Sequence, residues 1–242
     1  MSEWDAGQKA RPSPGSDMSL ILNIDTSTQA GGLSLSLEGR TLTSRENSEQ
    51  KDHAAWMHTE IKKMLDEGGY QPRDLKAVAI TLGPGSYTGL RVAMAAAKGF
   101  CYALHIPLIT ESSLKLLAFS VRAAAINLGA SWICPMIDAR RMEVFTAIYS
   151  TDLTEILPSQ ALVLDAASFE SYLKDHSIVF TGNGTGKWMA IAQSEHVQVV
   201  EAISPVLSLS RISYQKYQAG EFTDIIYSEP AYLKEFHTHT KK

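Results

Sequence analysis

Residues 77–103 read AVAITLGPGSYTGLRVAMAAAKGFCYA, and few arrangements accommodate such a run. Ala77, Val78, Ala79 and Ile80 are apolar over the length of a fully buried strand. Gly83, Pro84 and Gly85 end that strand and permit backbone angles closed to other residues. Either Ser86 or Thr88 can cap a helix over 88–104 by accepting a bond from an orphan backbone N–H. Within it, Ala93, Ala97 and Cys101 form one row at spacing four, and Ala95, Gly99 and Ala103 form another. Small rows on two faces let backbone approach two neighbours. One is the helix's own sheet; the other is a second helix of this chain or of another protein. Gly99 in mid-helix costs up to about 1 kcal/mol relative to Ala, so close packing is expected to offset it.

The remaining elements fall around this unit. Residues 20–24 read as a buried strand ending at Asp25, followed by a polar turn containing Thr26, Ser27 and Thr28. Leu33, Leu35 and Leu37 alternate with serines as the return strand, and 41–47 supply a third. Over 53–67, Ala54, Met57, Ile61, Met64 and Leu65 share one helical face, and Gly68-Gly69 closes that helix. After the central unit come a strand at 107–110 and a helix from Ser112 or Ser113 to about 125. The order is βββαβαβα. It starts again with a strand over 132–137 ending at Asp138, a return over 143–149, and a third strand at 153–157. A helix at 166–173, a strand at 178–181, a short helix at 187–192, a strand at 196–200 and a helix at 207–219 follow. Two halves that each open with strand, Asp and hairpin suggest an α/β actin/hexokinase-like fold of two ribonuclease-H-like lobes, each βββαβαβα. The expected division is a disordered tail over 1–17, with isolated Trp4 and Met18 as an alternative start, a lobe over 18–127 and a lobe over 128–242.

Charge and cysteine usage narrow the function classes. A net charge of −4 and a pI near 6.0 leave no global basic field to hold nucleic acid. Cys101 and Cys134, the two cysteines, lie in apolar runs as buried thiols, which fits a reducing cytoplasm. No apolar run reaches the roughly 18 residues of a membrane span, and the start lacks a signal-peptide pattern.

Reactive motifs are incomplete. Kinases of this architecture wrap backbone N–H groups of an Asp-x-Gly-Thr hairpin around phosphate. Here Asp25, Thr26 and Ser27 form a hairpin without the glycine, a vestigial version whose carboxylate and hydroxyls satisfy the turn itself. The loop from Gly182 to Lys187 is one residue short of a P-loop and is followed by Trp188 rather than Ser or Thr. His53 and His58 sit about 140° apart on their helix, and His237 and His239 lie in a polar tail. No metal set is expected. Gly85-Ser86-Tyr87-Thr88-Gly89 has its serine one place early for a nucleophile elbow.

Several stretches resemble the TsaB (YeaZ) family of bacterial tRNA threonylcarbamoyladenosine biosynthesis proteins. They are Ile24-Asp25-Thr26-Ser27, the run Leu82 to Arg91, Ala97-Lys98-Gly99, Glu111-Ser112-Ser113-Leu114, Asp138-Ala139-Arg140-Arg141 with Glu143-Val144-Phe145, and Pro230 to Lys234. The resemblance spans about 20–234, and its most specific block is GPGSYTGLR. Tyr87 stands where phenylalanine is usual. The resemblance implies an actin/hexokinase-like fold and a non-catalytic accessory subunit with no cofactor. It also implies pairing with a metal-bearing paralogue, TsaD, recruitment of a P-loop ATPase, TsaE, and contact with tRNA only through the complex. In isolation the same surface is expected to make a homodimer. The two first-lobe helices are the implied partner face, with Met57, Ile61, Met64, Arg91, Met94, Ala97, Lys98 and Cys101 as candidates. Gly83, Pro84, Gly85, Ser86, Thr88 and Gly89 are candidates for a structural loop. The competing readings are a nucleotide-dependent small-molecule kinase, which needs the Asp25 hairpin and the Gly182 loop to grip a nucleotide, and a metallopeptidase, for which ligands are lacking.

Overall fold

The computed structural model describes residues 18–47, 53–192 and 197–234. The expected disordered tail, His196, His237 and His239 lie outside them. The first half comprises β1 (Leu20–Asp25), β2 (Gly31–Leu37), β3 (Arg40–Asn47), α1 (His53–Gly68), β4 (Leu75–Gly83), α2 (Tyr87–Leu104), β5 (Leu108–Ser112) and α3 (Ser113–Asn127). The second comprises β6 (Trp132–Asp138), β7 (Glu143–Ser150), β8 (Glu155–Val163), α4 (Glu170–Leu173), β9 (Ile178–Thr181), α5 (Thr185–Met189), β10 (Gln198–Val199) and α6 (Pro205–Ala219). The two sheets run β3-β2-β1-β4-β5 and β10-β9-β6-β7-β8. Read in opposite directions, these are one topology used twice, the actin/hexokinase-like arrangement. In each, the antiparallel hairpin is continued by parallel strands.

Alternation along β1 sorts its two faces. Leu20, Leu22 and Ile24 join Met57, Ile61 and Met64 of α1 and Ala93, Met94, Ala97 and Cys101 of α2 in one core. Ile21 points the other way, with Ala77, Ala79 and Ile109, to meet Leu209 and Ile212 of α6. Alternating Leu and Ser in β2 would ordinarily place serine in water. Ser34 and Ser36 are instead fully buried, because α6 covers them. The Ser34 and Ser210 hydroxyls are 2.8 Å apart, Asn23 Nδ2 donates to Ser36 Oγ at 2.9 Å, and Ser213 Oγ donates to Asn23 Oδ1 at 2.7 Å.

The helices that follow the last strand of each half are exchanged. α6 packs on the first sheet, whereas α3 packs on the second through Leu114, Leu117, Val121 and Ala125 against Ile133, Ile137 and Val179. A cut at 127/128 therefore separates the two sheets but not two packing units. The opposite face of the second sheet closes over Phe169, Phe180 and Trp188. Two expected elements moved: the third strand of this half lies at Glu155–Val163, and α4 is only Glu170–Leu173. Phe169, at a left-handed φ of 69°, breaks the longer helix that the pattern suggested.

After α6, residues 221–234 run back over the first half. Thr223 N donates to Leu108 O at 2.8 Å, covering the edge of β5, and Ala231 N donates to Leu82 O at 2.8 Å.

Candidate functional site

The two Asp-bearing hairpins face one another across a cleft of about 550 Å³, lined by Ser27, Thr28, Ser86, Thr88, Arg140, Arg141 and Lys187 among others. They have opposite characters. Asp25 is 3% exposed. Its Oδ1 accepts from Ser27 N at 3.0 Å, Ser27 Oγ at 2.7 Å and Thr81 Oγ1 at 2.8 Å. Burial pushes this carboxyl above its ordinary range, against the pull of those bonds. The hairpin is sealed from outside by the central loop. Ser86 N donates to Ser27 O at 2.7 Å, and Thr26 Oγ1 donates to Gly89 O at 2.8 Å. A Cβ on Gly89 would lie 2.3 Å from Thr26 O. Ser27 N, one of the N–H groups such a hairpin would turn toward a phosphate, is thus bound by Asp25, and the hairpin's Ser27 carbonyl and Thr26 hydroxyl are tied to the start of α2. Ser86, not Thr88, is the cap of α2, its side chain accepting from Gly89 N at 3.3 Å, and Thr88 is exposed. Gly83 holds φ 115° and precedes a cis Pro84, and a Cβ there would meet Ala231 O at 2.9 Å.

Asp138 is open by comparison. Lys187 Nζ lies 2.7 Å from its Oδ1, Arg140 N donates to the same oxygen at 2.6 Å, and Asp138 N donates to Asn183 Oδ1 at 2.9 Å. Partial desolvation works to raise this carboxyl, but the Lys187 ammonium and the Arg140 N–H outweigh it and hold the group below its ordinary range. The Gly182–Lys187 turn therefore neutralises the second-lobe Asp. Among the described residues no cluster of His, Cys, Asp and Glu has the geometry to hold a metal ion.

The candidate partner residues divide by placement. Met57, Ile61, Met64, Met94, Ala97 and Cys101 are at most 5% exposed and belong to the first-lobe core. Their side chains face the sheet, which corrects the expectation that they form an outer surface. Arg91 and Lys98 lie on a flank of α2 engaged by the returning segment. Arg91 Nε donates to Tyr232 Oη at 2.9 Å, and Lys98 Nζ reaches Ile226 O at 3.4 Å. The outward face is the other small row, Ala95, Gly99 and Ala103, all exposed. With Val92, Ala96, Phe100, Ala54 and His58 it lines an apolar groove of about 650 Å³ between α1 and α2. A Cβ on Gly99 would meet nothing within 4 Å, so packing inside the chain gives no reason for this glycine. A glycine at mid-helix on an apolar stripe was the available signal, but periodicity alone does not say which stripe faces out.

Fold and site together define an actin/hexokinase-like protein with a sealed first hairpin and an open apolar face on its outer helices. Residues 42–231 match the family model described as TsaD: tRNA N6-adenosine threonylcarbamoyltransferase. The chain is 31% identical over 188 residues to the tRNA threonylcarbamoyladenosine biosynthesis protein TsaB of Bacillus subtilis, covering 76% of each. It is 27% identical over 221 residues to TsaB of Escherichia coli, covering 88% of this chain and 94% of that one. The solved structure of YeaZ from Pseudomonas aeruginosa is similar with a TM-score of 0.74 at 27% identity, over 89% of this chain and all of that one. The chain belongs to the TsaD-like family and, within it, to TsaB (YeaZ).

Proposed function

We propose that this chain is a non-catalytic accessory subunit of the machinery that makes threonylcarbamoyladenosine in tRNA, acting in the cytoplasm. It contributes a docking face for a TsaD-like paralogue, and the pair recruits a TsaE-like ATPase; tRNA is met through the complex. Alone, the chain pairs with a second copy through the same face. The observation that carries this reading is the outward row Ala95, Gly99 and Ala103 beside the α1–α2 groove. Small residues there let a facing helix approach toward the short end of the usual 8–10 Å axis spacing, and an apolar groove of that size is more than a monomer needs to leave open. The sealed Asp25 hairpin agrees with a role outside the chemistry.

The test is Ala103→Trp and Gly99→Trp in the full chain. Both are expected to fold with a melting temperature near that of the parent, to elute as monomers and to lose co-elution with a TsaD-like partner. Undiminished pairing by both folded variants would place docking elsewhere. Purified alone, the parent is expected to hydrolyse no ATP above background; turnover lost in Asp25→Ala would overturn the non-catalytic reading.

A further inference from the structure

The returning segment reaches both walls of the cleft. On the first-lobe side, the Tyr232 ring lies 5.1 Å from Tyr87, and the Arg91 guanidinium sits over the Tyr87 ring at 4.3 Å while donating to Tyr232 Oη. Tyr87 itself lines the cleft. On the second-lobe side, Lys234 is paired with Glu143 at the start of β7. The carbonyl of Glu143 accepts from Lys187, the ammonium that holds Asp138. Tyr232 and Lys234 are two positions apart, so one short run of backbone is fastened to opposite sides of the opening. Upstream, Ser228 against Met94 Sδ at 3.7 Å and Lys98 against Ile226 O tie the same segment along α2.

We propose that residues 229–234 are a latch: Tyr232 clamped by Arg91 and Lys234 paired with Glu143 fasten the two walls of the cleft to each other and set its width at the opening, where the exchanged helices leave it free to vary. Because Arg91 is on α2, the latch also registers that helix against the second lobe. A consequence for docking rests on the reading of α2 given above; the latch itself does not. Both anchor pairs are needed. Tyr232 alone would bind the strap to the first wall and leave the second wall unfastened at the opening, and the Glu143 pair alone would lack a rigid base. The Arg91 stack supplies that base by holding one planar group against Tyr87 and the Tyr232 hydroxyl in one geometry.

Pulsed electron paramagnetic resonance tests this with nitroxides at Gln29→Cys and Arg141→Cys, one on each wall. Cys101 and Cys134 are buried and stay unlabelled. The labelled parent, diluted with an excess of unlabelled chain so that any dimer carries one labelled copy, is expected to give one narrow distance. K234E, E143K and Y232A are each expected to broaden it and shift it longer, and the E143K/K234E exchange is expected to restore the narrow distribution. An unchanged distribution in folded K234E and Y232A would overturn the latch, as would a double exchange no narrower than its single parents. If E143K does not fold, K234E and Y232A decide. The measurement is made on the isolated chain, so distances that respond while partner binding does not would remove only the docking reading.

Discussion

Gly85 and Ser27 touch backbone to backbone: a Cβ placed on Gly85 would lie 2.0 Å from the Ser27 carbonyl oxygen. That carbonyl is the one receiving Ser86 N, so no side chain fits without parting the central loop from the first hairpin. Gly85→Ala is expected to lower stability by about 1–3 kcal/mol, the range for losing a buried bond and forcing a shift. Gly99→Ala removes glycine from a mid-helix site with open space and is expected to raise stability by up to about 1 kcal/mol. Denaturant melts of the two variants should move in opposite directions.

Ala97 and Ala103 lie on the same helix with opposite exposure. Ala97→Trp forces an indole into the core beside Met57 and Val78, where overpacking costs typically 1–3 kcal/mol and more for so large a change. It is expected to abolish cooperative thermal unfolding, whereas Ala103→Trp keeps it. Circular dichroism on heating distinguishes the pair.

Burial raises the Asp25 carboxyl above its ordinary value of 3.8. Its folded pKa is thus above its unfolded one, so the native state binds the proton more tightly. Asp25's contribution is most favourable below about pH 3.8 and declines as pH rises through the folded value. Asp25→Asn can still accept through its side-chain oxygen and carries no charge. The difference in melting temperature, variant minus parent, is expected to increase with pH across that window and then level. A constant difference from pH 4 to 8 would contradict the raised carboxyl.

Desolvation pushes the Cys101 thiol up to about 11 and the Cys134 thiol up to about 12. Thiolate is the reactive form, and both side chains are buried. A disulfide exchange reagent at pH 7.5 is expected to titrate neither cysteine in the native chain and both after denaturation.

Much of the architecture was legible because strand–Asp–hairpin is a local pattern, visible twice within short windows. Elements set by distant contacts were not. The serines of β2 are buried by α6, whose Val206 arrives 172 residues after Ser34, so that face has no local signature. Met57, Ile61, Met64, Met94, Ala97 and Cys101 form a periodic apolar stripe that looks the same whether it meets the chain's own sheet or a partner. Tertiary packing decided for the sheet. Of the site, the loop Gly83–Gly89 was readable from its glycines and its cap. Pro230 to Lys234 stood out only as a family-like stretch; the path of the strap at 221–234 was not readable, since it has no periodicity and is held by scattered contacts to Leu82, Leu108, Arg91, Lys98 and Glu143.

The exchanged helices also dictate an order of events during synthesis. The ribosome releases β1 to β5 first, yet the face carrying Ile21, Ala79 and Ile109 receives Leu209 and Ile212 only after nearly the whole chain has emerged. The second sheet, by contrast, finds α3 already made and waiting. The earlier-born sheet is therefore the last to be completed, through contacts of high sequence separation that slow folding. A nascent chain halted before α6 leaves much of that apolar sheet face open, with Leu116 and Phe119 of α3 as its partial cover.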